Sequence, residues 1–394
     1  MEWKEAMVVS GSRNSQNKFD ENFLKSTRTK LRGWFLREKR DLPFRQNRTP
    51  YSTWVSEVML QQTRVTTMIP LYESFLQRFP KPSDLAEAEE EEVLRYWKGL
   101  GYYSRAKNLH KGVRKLVSEF SGIFPRTLEG ALSLPGVGQY TASAILSISY
   151  NIPLAVLDGN AKRVLSRLFL FRGSPSKSAS ILQELADQFL DRDYAGDHNE
   201  SVMELGARIC LPTTPLCGEC PLQKECEAYR EGVQQEIPIA EKKSKEIALG
   251  IRFLIVRAPA GILLLRYSKR RFFKTIFTLP FTWDGKSPYA VDPVTELDLT
   301  FHDTGTKFRH TITHHKIVGS IWEASISAKQ SRDLVDSIRK KHVEVDYKWC
   351  EWDDLETECP SSIAGKIKSA VSPKEPVLPG IPTVAKKAKG SQRI

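Results

Sequence analysis

Four cysteines fall within seventeen residues, in the spacing Cys210-x6-Cys217-x2-Cys220-x5-Cys226. Thiols this close oblige the intervening backbone to wrap one compact centre. Disulfides would need an oxidising compartment, for which nothing in the chain argues, and the remaining two cysteines, Cys350 and Cys359, read as free thiols. Zinc ribbons usually pair two CxxC knuckles, whereas a single CxxC occurs here. A [4Fe-4S] cluster therefore stands ahead of zinc.

The rest of the chain divides by periodicity. Residues 1–19 are polar and read as a flexible N-terminus. Residues 20–228 carry apolar positions at helical spacing in WVSEVMLQQT, TTMIPLYESFLQRF, EEVLRYWKGL, AKNLHKGVRKLV, TASAILSIS, NAKRVLSRLFLF and SASILQELADQFL, with Ser83 and Thr127 as N-caps. This predicts a mostly α domain. Residues 229–246 lose that period, gain Lys and Glu, and read as a solvated linker. From 247 to 370, IRFLIVR, GILLLRY and KIVGSIWEASI are β-branched and apolar, APAG signals a hairpin, and KQSRDLVDSIRKK is an amphipathic helix. The second domain is thus α+β, and residues 371–394 read as a disordered tail. At 40% apolar, 394 residues suffice for two cores. No signal-like apolar segment opens the chain and no run approaches the roughly 18 apolar residues of a membrane span, so a soluble intracellular protein with no membrane partner is expected. The net charge of +12 favours a polyanionic partner, although such a balance is common without one.

Three motifs carry candidate chemistry. In LPGVGQYTA, glycines 136 and 138 allow positive φ and uncover amides ahead of a helix N-terminus, which suits a phosphate; the same pattern also serves a plain helix-to-helix turn. Asp158, in AVLDGNAKRV, precedes a helix and fits an N-cap, a role compatible with catalysis. Glu57, in WVSEVMLQQT, has Trp54 and Leu60 one turn to either side; buried there, its carboxyl pKa would rise, and exposed it would be an ordinary helix-face acid.

These motifs occur together and in one order. From about Leu42 to Cys226 the chain resembles the helix-hairpin-helix DNA glycosylases that carry an iron–sulfur cluster, with LPGVG, LDGN and the cysteine spacing all present. SEVMLQQTRV, WKGLGYYSRAKNLH and LDGNAKRV are similar to the adenine glycosylase branch of that family, MutY. That branch removes adenine mispaired with 8-oxoguanine. The resemblance implies a monomer whose partner is double-stranded DNA containing A:8-oxoguanine or A:G mispairs, cytoplasmic and nucleoid-associated in a bacterial host. Bifunctional relatives such as endonuclease III carry a lysine where Tyr140 stands, and its amine enables strand cleavage. Tyr140 therefore implies a monofunctional hydrolase. The resemblance makes Glu57 the acid that protonates adenine, Asp158 the carboxylate beside the sugar, and Asn160 an orienting group. It makes Gln62 and Tyr102 wedges in the base stack, for each of which core packing is the alternative. Arg40, Leu42, Arg45 and Glu200 would line the adenine pocket, where Phe44 stands for the usual Trp. Gly136, Val137, Gly138 and Lys162 would face DNA phosphate, and the thiolate cluster would hold a DNA-binding loop bearing Arg208 and Lys224.

From about Ile247 the chain resembles the MutT-like C-terminal domain of the same branch. The Nudix signature, a glycine followed by R-E-x-x-E-E, is missing, which argues against pyrophosphate hydrolysis. TITHHKIV resembles the loop that inspects 8-oxoguanine, with Ile312, Thr313 and His314 where Phe-Ser-His is usual. A hairpin with surface histidines is the alternative. The rival enzyme is a bifunctional pyrimidine glycosylase and lyase, opposed by Tyr140 and by the second domain.

Overall fold

The computed structural model describes residues 19–239, 246–267, 272–273, 276–285, 297, 299–312, 314–341, 345–359 and 361–371. The N-terminus expected to be flexible up to residue 18, linker residues 240–245, Thr313 and the expected tail from 372 lie outside them. The chain forms two units, divided between Lys245 and Glu246.

The first unit is helical, as expected. Its helices are α1 (Glu21–Glu38), α2 (Pro43–Gln46), α3 (Pro50–Leu60), α4 (Val65–Arg78), α5 (Pro82–Glu87), α6 (Glu90–Tyr96) and α7 (Ser104–Phe120). They continue with α8 (Leu128–Leu132), α9 (Gln139–Tyr150), α10 (Gly159–Leu168), α11 (Ala179–Phe189), α12 (Ala195–Arg208) and α13 (Glu227–Arg230). Two of them are core helices. Every residue of α3 from Tyr51 to Met59 is buried, as is α9 from Thr141 to Ser147. Among their buried hydroxyls, Ser56 Oγ donates to Thr53 O at 2.9 Å and Ser147 Oγ to Ala144 O at 3.3 Å, each within its own helix. The small residues of TASAILS let neighbours come close: a Cβ at Gly196 of α12 would lie 2.7 Å from the Ser147 carbonyl oxygen. A cluster of Leu31, Trp34 and Phe35 with Val164, Leu168, Phe189 and Leu205 fastens α1 to α10, α11 and α12.

Capping follows the sequence in part. Thr127 Oγ1 accepts from the Gly130 amide at 3.2 Å, as expected. Ser83 does not cap α5. Pro82 takes the first helical position, where a missing N–H costs nothing, and the cap falls to Lys81, whose amide donates to Asp84 Oδ2 at 2.9 Å. The expected solvated linker also begins later than residue 229: Ile237 is buried and its carbonyl accepts from Arg167 Nε at 2.7 Å. A buried guanidinium needs acceptors, and this stretch supplies one.

The second unit is α+β, as expected. Its strands are β1 (Ile247–Ala258), β2 (Gly261–Tyr267), β3 (Phe281–Trp283), β4 (His302–Ile312), β5 (His315–Ser325) and β6 (Val345–Cys350), with helices α14 (Ala328–Lys341), α15 (Leu355–Glu358) and α16 (Ser362–Val371). The sheet order is β4-β5-β1-β2-β6, with β3 paired to β1. β1 and β2 form the expected hairpin, Ala258 opposite Gly261, while β1 and β5 run parallel from Ile247 beside His315 to Arg257 beside Ser325. β1 is apolar on both sides because both faces are covered. Ile251, Phe253 and Ile255 meet Ile363 and Ile367 of α16, whereas Leu254 and Val256 meet Leu334 and Ile338 of α14. No helix among the described residues is long and apolar enough to cross a membrane.

Candidate active site

A cavity of about 560 Å³ opens in the first unit. Glu57, Asp158, Asn160 and Tyr140 line it, together with Arg40, Leu42, Phe44, Arg45, Gln62 and Glu200. Positions from residue 40 to residue 200 are thus gathered at one place.

Glu57 projects from the buried helix α3 and is 6% exposed. Burial pushes its carboxyl up to about 7, and the charges of Asp158 and Glu200 push the same way. The Tyr140 hydroxyl, from the first turn of α9, donates to Glu57 Oε2 at 2.6 Å and opposes that rise. Burial in turn holds the Tyr140 phenol well above its ordinary value, with the two carboxylates adding to it. Asp158 is the N-cap of α10: its Oδ1 accepts from the Ala161 amide at 2.6 Å and its Oδ2 from Asn160 Nδ2 at 3.0 Å. Glu57 is therefore not an exposed helix-face acid, and the N-cap expected at Asp158 forms. Glu57 is the buried one, and Asp158 is a cap that also faces the cavity.

The wall opposite is ionic. Arg40 grips Glu204 bidentately, Nε to Oε1 at 2.7 Å and Nη2 to Oε2 at 2.8 Å. Arg45 reaches Glu200 Oε1 and Glu204 Oε2, each at 2.9 Å, and Arg48 Nη2 lies 2.6 Å from Glu200 Oε2. Burial raises Glu204, but Arg40 and Arg45 outweigh it and hold the carboxyl down at about 2. The two arginines expected in the pocket thus each direct Nε and Nη2 at carboxylates of α12.

α12 also places the other carboxylate. Asn199, buried, accepts from the Val156 amide at 3.0 Å and donates to Leu154 O and Ser147 Oγ at 2.8 Å each, which fixes the extended segment leading into Asp158. A Cβ on Gly206 would stand 2.6 Å from the Asn160 Cβ, so only glycine admits α10 this close. Arg163 bridges Asn160 Oδ1 at 2.9 Å, Gly206 O at 2.7 Å and Cys210 O at 2.7 Å. Asn199, Glu204 and Arg163 have no place among the residues expected from sequence. The helical period of AGDHNESVMELGAR, with Glu200 and Glu204 one turn apart, is a signal for Glu204 alone, on the same face as Glu200; nothing local marks Asn199 or Arg163.

The helix pair α8 and α9 forms the expected hairpin, with one change at its turn. Gly136 has φ +80°, and a Cβ there would meet the Asn108 Cβ at 2.7 Å. Gly138 does not use positive φ; it is extended at −95° and caps α9. The buried Val137 is not an open amide either, since its N–H donates to Leu134 O at 3.1 Å. Around Gly138 a Cβ would meet nothing within 4 Å, which leaves the approach to the α9 N-terminus clear. Lys162 is half-buried on the first turn of α10, outside the cavity lining.

Gln62 and Tyr102 are both exposed, Tyr102 by 45%, so neither is a core residue. Both have left-handed backbones, at φ 59° and 46°. In the second unit Ile312 faces His315 across the β4–β5 turn and packs against the apolar cluster, His314 is half-buried and His315 is buried. The hairpin of the alternative reading forms, with His315 buried and His314 half-buried rather than both on the surface.

Cys210, Cys217, Cys220 and Cys226 are free thiols of intermediate exposure, and Cys350 and Cys359 are free and buried. Among the described residues no three His, Cys, Asp or Glu side chains are arranged to hold a metal ion. Burial, with the charge of neighbouring sulfurs added, nonetheless raises the thiols of Cys217, Cys220 and Cys226, and donors lie at the sulfurs. Leu222 N–H donates to Cys220, those of Ala228 and Tyr229 to Cys226, and Arg167 Nη1 lies 3.3 Å from Cys210 Sγ.

A helical hairpin packed over a cavity that holds two acids defines a base-excision glycosylase class, and residues 55–188 match the HhH-GPD superfamily of base excision DNA repair proteins. The first unit is similar to a thermostable thymine-DNA glycosylase of known structure, with 27% identity, a TM-score of 0.50, and coverage of 53% of this chain and 98% of that one. Among sequences, the chain is 47% identical over 214 residues to the adenine DNA glycosylase of Mus musculus, covering 52% of this chain and 42% of that protein. It is 32% identical over 292 residues to the adenine DNA glycosylase of Buchnera aphidicola, covering 71% of this chain and 82% of that protein. The chain belongs to the adenine DNA glycosylase family. It spans less than half the length of the mouse relative.

Proposed function

We propose that this chain is a monofunctional adenine DNA glycosylase, which extrudes adenine from opposite 8-oxoguanine or guanine in duplex DNA and hydrolyses its bond to the sugar. The observation that carries this reading is the 2.6 Å contact between Tyr140 and Glu57 in a cavity shared with Asp158. A carboxyl titrating at about 7 still holds its proton over much of the neutral range. It can pass that proton to N7 of adenine and turn a poor anionic leaving group into a neutral one. The carboxylate of Asp158, oriented by Asn160, then faces an oxocarbenium-like sugar, following the two-carboxylate logic of glycoside hydrolysis. Water adds to the sugar and leaves an abasic site. Tyr140 offers no amine, so no Schiff base forms and the strand stays whole.

Gln62 and Tyr102 act as the wedges, which their exposed, outward-held positions support. Gly138, with the open α9 N-terminus, and Lys162 face phosphate. Cys210, Cys217, Cys220 and Cys226 hold a [4Fe-4S] cluster that fixes their loop and takes no part in hydrolysis; the amide and guanidinium donors at the sulfurs support this, since such donors stabilise thiolate ligands. The second unit reads the base opposite adenine through the MutT-like hairpin at Ile312, Thr313 and His314. The protein works as a monomer, in the cytoplasm beside the nucleoid if the host is bacterial.

The test is product analysis on duplexes bearing A opposite 8-oxoguanine, A opposite G, and thymine glycol opposite A. Alkali-labile sites in the adenine duplexes, with no breaks before alkali, are expected. Breaks before alkali, or intact adenine duplexes after it, would overturn the reading.

A further inference from the structure

Arg105, in the first turn of α7, ties together two loops that are far apart in sequence. Its Nη1 lies 2.7 Å from Val58 O, 3.1 Å from Met59 O and 2.5 Å from Gln61 O, the carbonyls that end α3. Its Nη2 lies 3.0 Å from Leu100 O, 3.3 Å from Gly101 O and 3.4 Å from Thr63 Oγ1. Gln62 therefore sits between two residues that Arg105 touches, and Tyr102 directly follows one. Both of these exposed residues hold left-handed backbones, a conformation that a non-glycine residue keeps only where its surroundings over-determine it. The guanidinium also stacks near both aromatic rings of the second loop, 5.7 Å from the Tyr102 ring centre and 5.6 Å from that of Trp97.

We propose that Arg105 is a positioning residue that locks the loops of Gln62 and Tyr102 into one rigid frame, so that both side chains enter the base stack together. This rests on the wedge roles in the reading above. A planar fork with donors on two sides can hold both loops at once, whereas the single ammonium of lysine is a point charge that can serve one. A bare cap on the carbonyls of α3 would be a different role. It would act on Glu57, which the same helix carries, and not on extrusion of the base.

The experiment uses the full chain with Arg105→Lys and Arg105→Gln, the lysine variant retaining charge should the glutamine variant not fold. A duplex with 2-aminopurine at the target position reports extrusion at saturating protein, and single-turnover adenine release is followed from pH 6 to 9. Arg105→Lys is expected to lower the extrusion signal by about half and the rate by about tenfold, with the alkaline limb of the pH profile unmoved and no added loss of signal in a Gln62→Ala/Tyr102→Ala background. A full extrusion signal with a slowed rate, a displaced alkaline limb, or an equal further loss in the wedge-free background would each overturn the proposal while leaving the glycosylase reading intact. A wild-type chain that releases no adenine overturns both.

Discussion

Replacing Glu57 by Gln should stabilise this protein, and only above a particular pH. The native carboxyl holds its proton to about 7 against an ordinary 4.5, because burial disfavours the charged form. At about 1.4 kcal/mol for each tenfold change in proton affinity, that displacement comes to about 3 kcal/mol. Its sign follows from which state binds the proton more tightly. Below pH about 4.5 both folded and unfolded chains are protonated and Glu57 costs nothing. As pH rises towards 7 the unfolded chain releases its proton first, so wild-type stability falls; above about 7 both states are ionised and the loss levels off. Glutamine has no proton to lose, and its carbonyl can still accept from the Tyr140 hydroxyl. Urea unfolding of wild type and Glu57→Gln, followed by tryptophan fluorescence at a series of pH values, should therefore show equal stability near pH 4.5 and an advantage of about 3 kcal/mol for the variant at pH 8, alongside loss of adenine release. A difference that does not change with pH, or a variant less stable at pH 8, would refute the argument from burial.

Tyr140→Phe removes the bond that holds Glu57 down, so the alkaline limb of the single-turnover pH profile should move up by about one pH unit; an unmoved limb counts against this. Arg45→Met leaves buried Glu200 with Arg48 alone and buried Glu204 with Arg40 and the more distant Arg208, and should cost about 3 kcal/mol in urea unfolding, partly recovered by Glu204→Gln. Gly136→Ala combines a φ of +80° with a contact of 2.7 Å at Asn108, and a loss of about 2 kcal/mol is expected in the same assay. On the cluster assignment proposed above, iron and acid-labile sulfide should purify with the chain and Cys220→Ser should lower both; unchanged content would remove that ligand.

What the sequence disclosed, it disclosed through local pattern. Glu57 sits one turn from Trp54 and Leu60, so its burial was one of two readings open to the sequence, and Asp158 precedes a helix with the chemistry of a cap. What it hid depends on partners distant along the chain. Arg40 meets Glu204 across 164 residues, and no local period encodes such a pair. Asn199 reads as an ordinary polar helix residue until the segment at Val156 lies against it. Gly138 looks like Gly136, and only the turn's geometry separates an extended cap from a left-handed bend. β4 went unseen because HDTGTKFRHTI is polar and largely exposed; its strand character comes from pairing with β5 at the sheet edge.

The ionic wall has a consequence for synthesis. Arg40 and Arg45 leave the ribosome long before their carboxylates, since Glu200 and Glu204 emerge some 160 residues later. Until α12 appears, α1 has no docking surface on it, and the emerging polypeptide carries an acid helix without the floor beneath it. Closure of the cavity thus waits on α12, late in the first unit's synthesis, and a fragment ending before Glu200 would bear Glu57, Tyr140 and Asp158 without the carboxylates that pair Arg40 and Arg45.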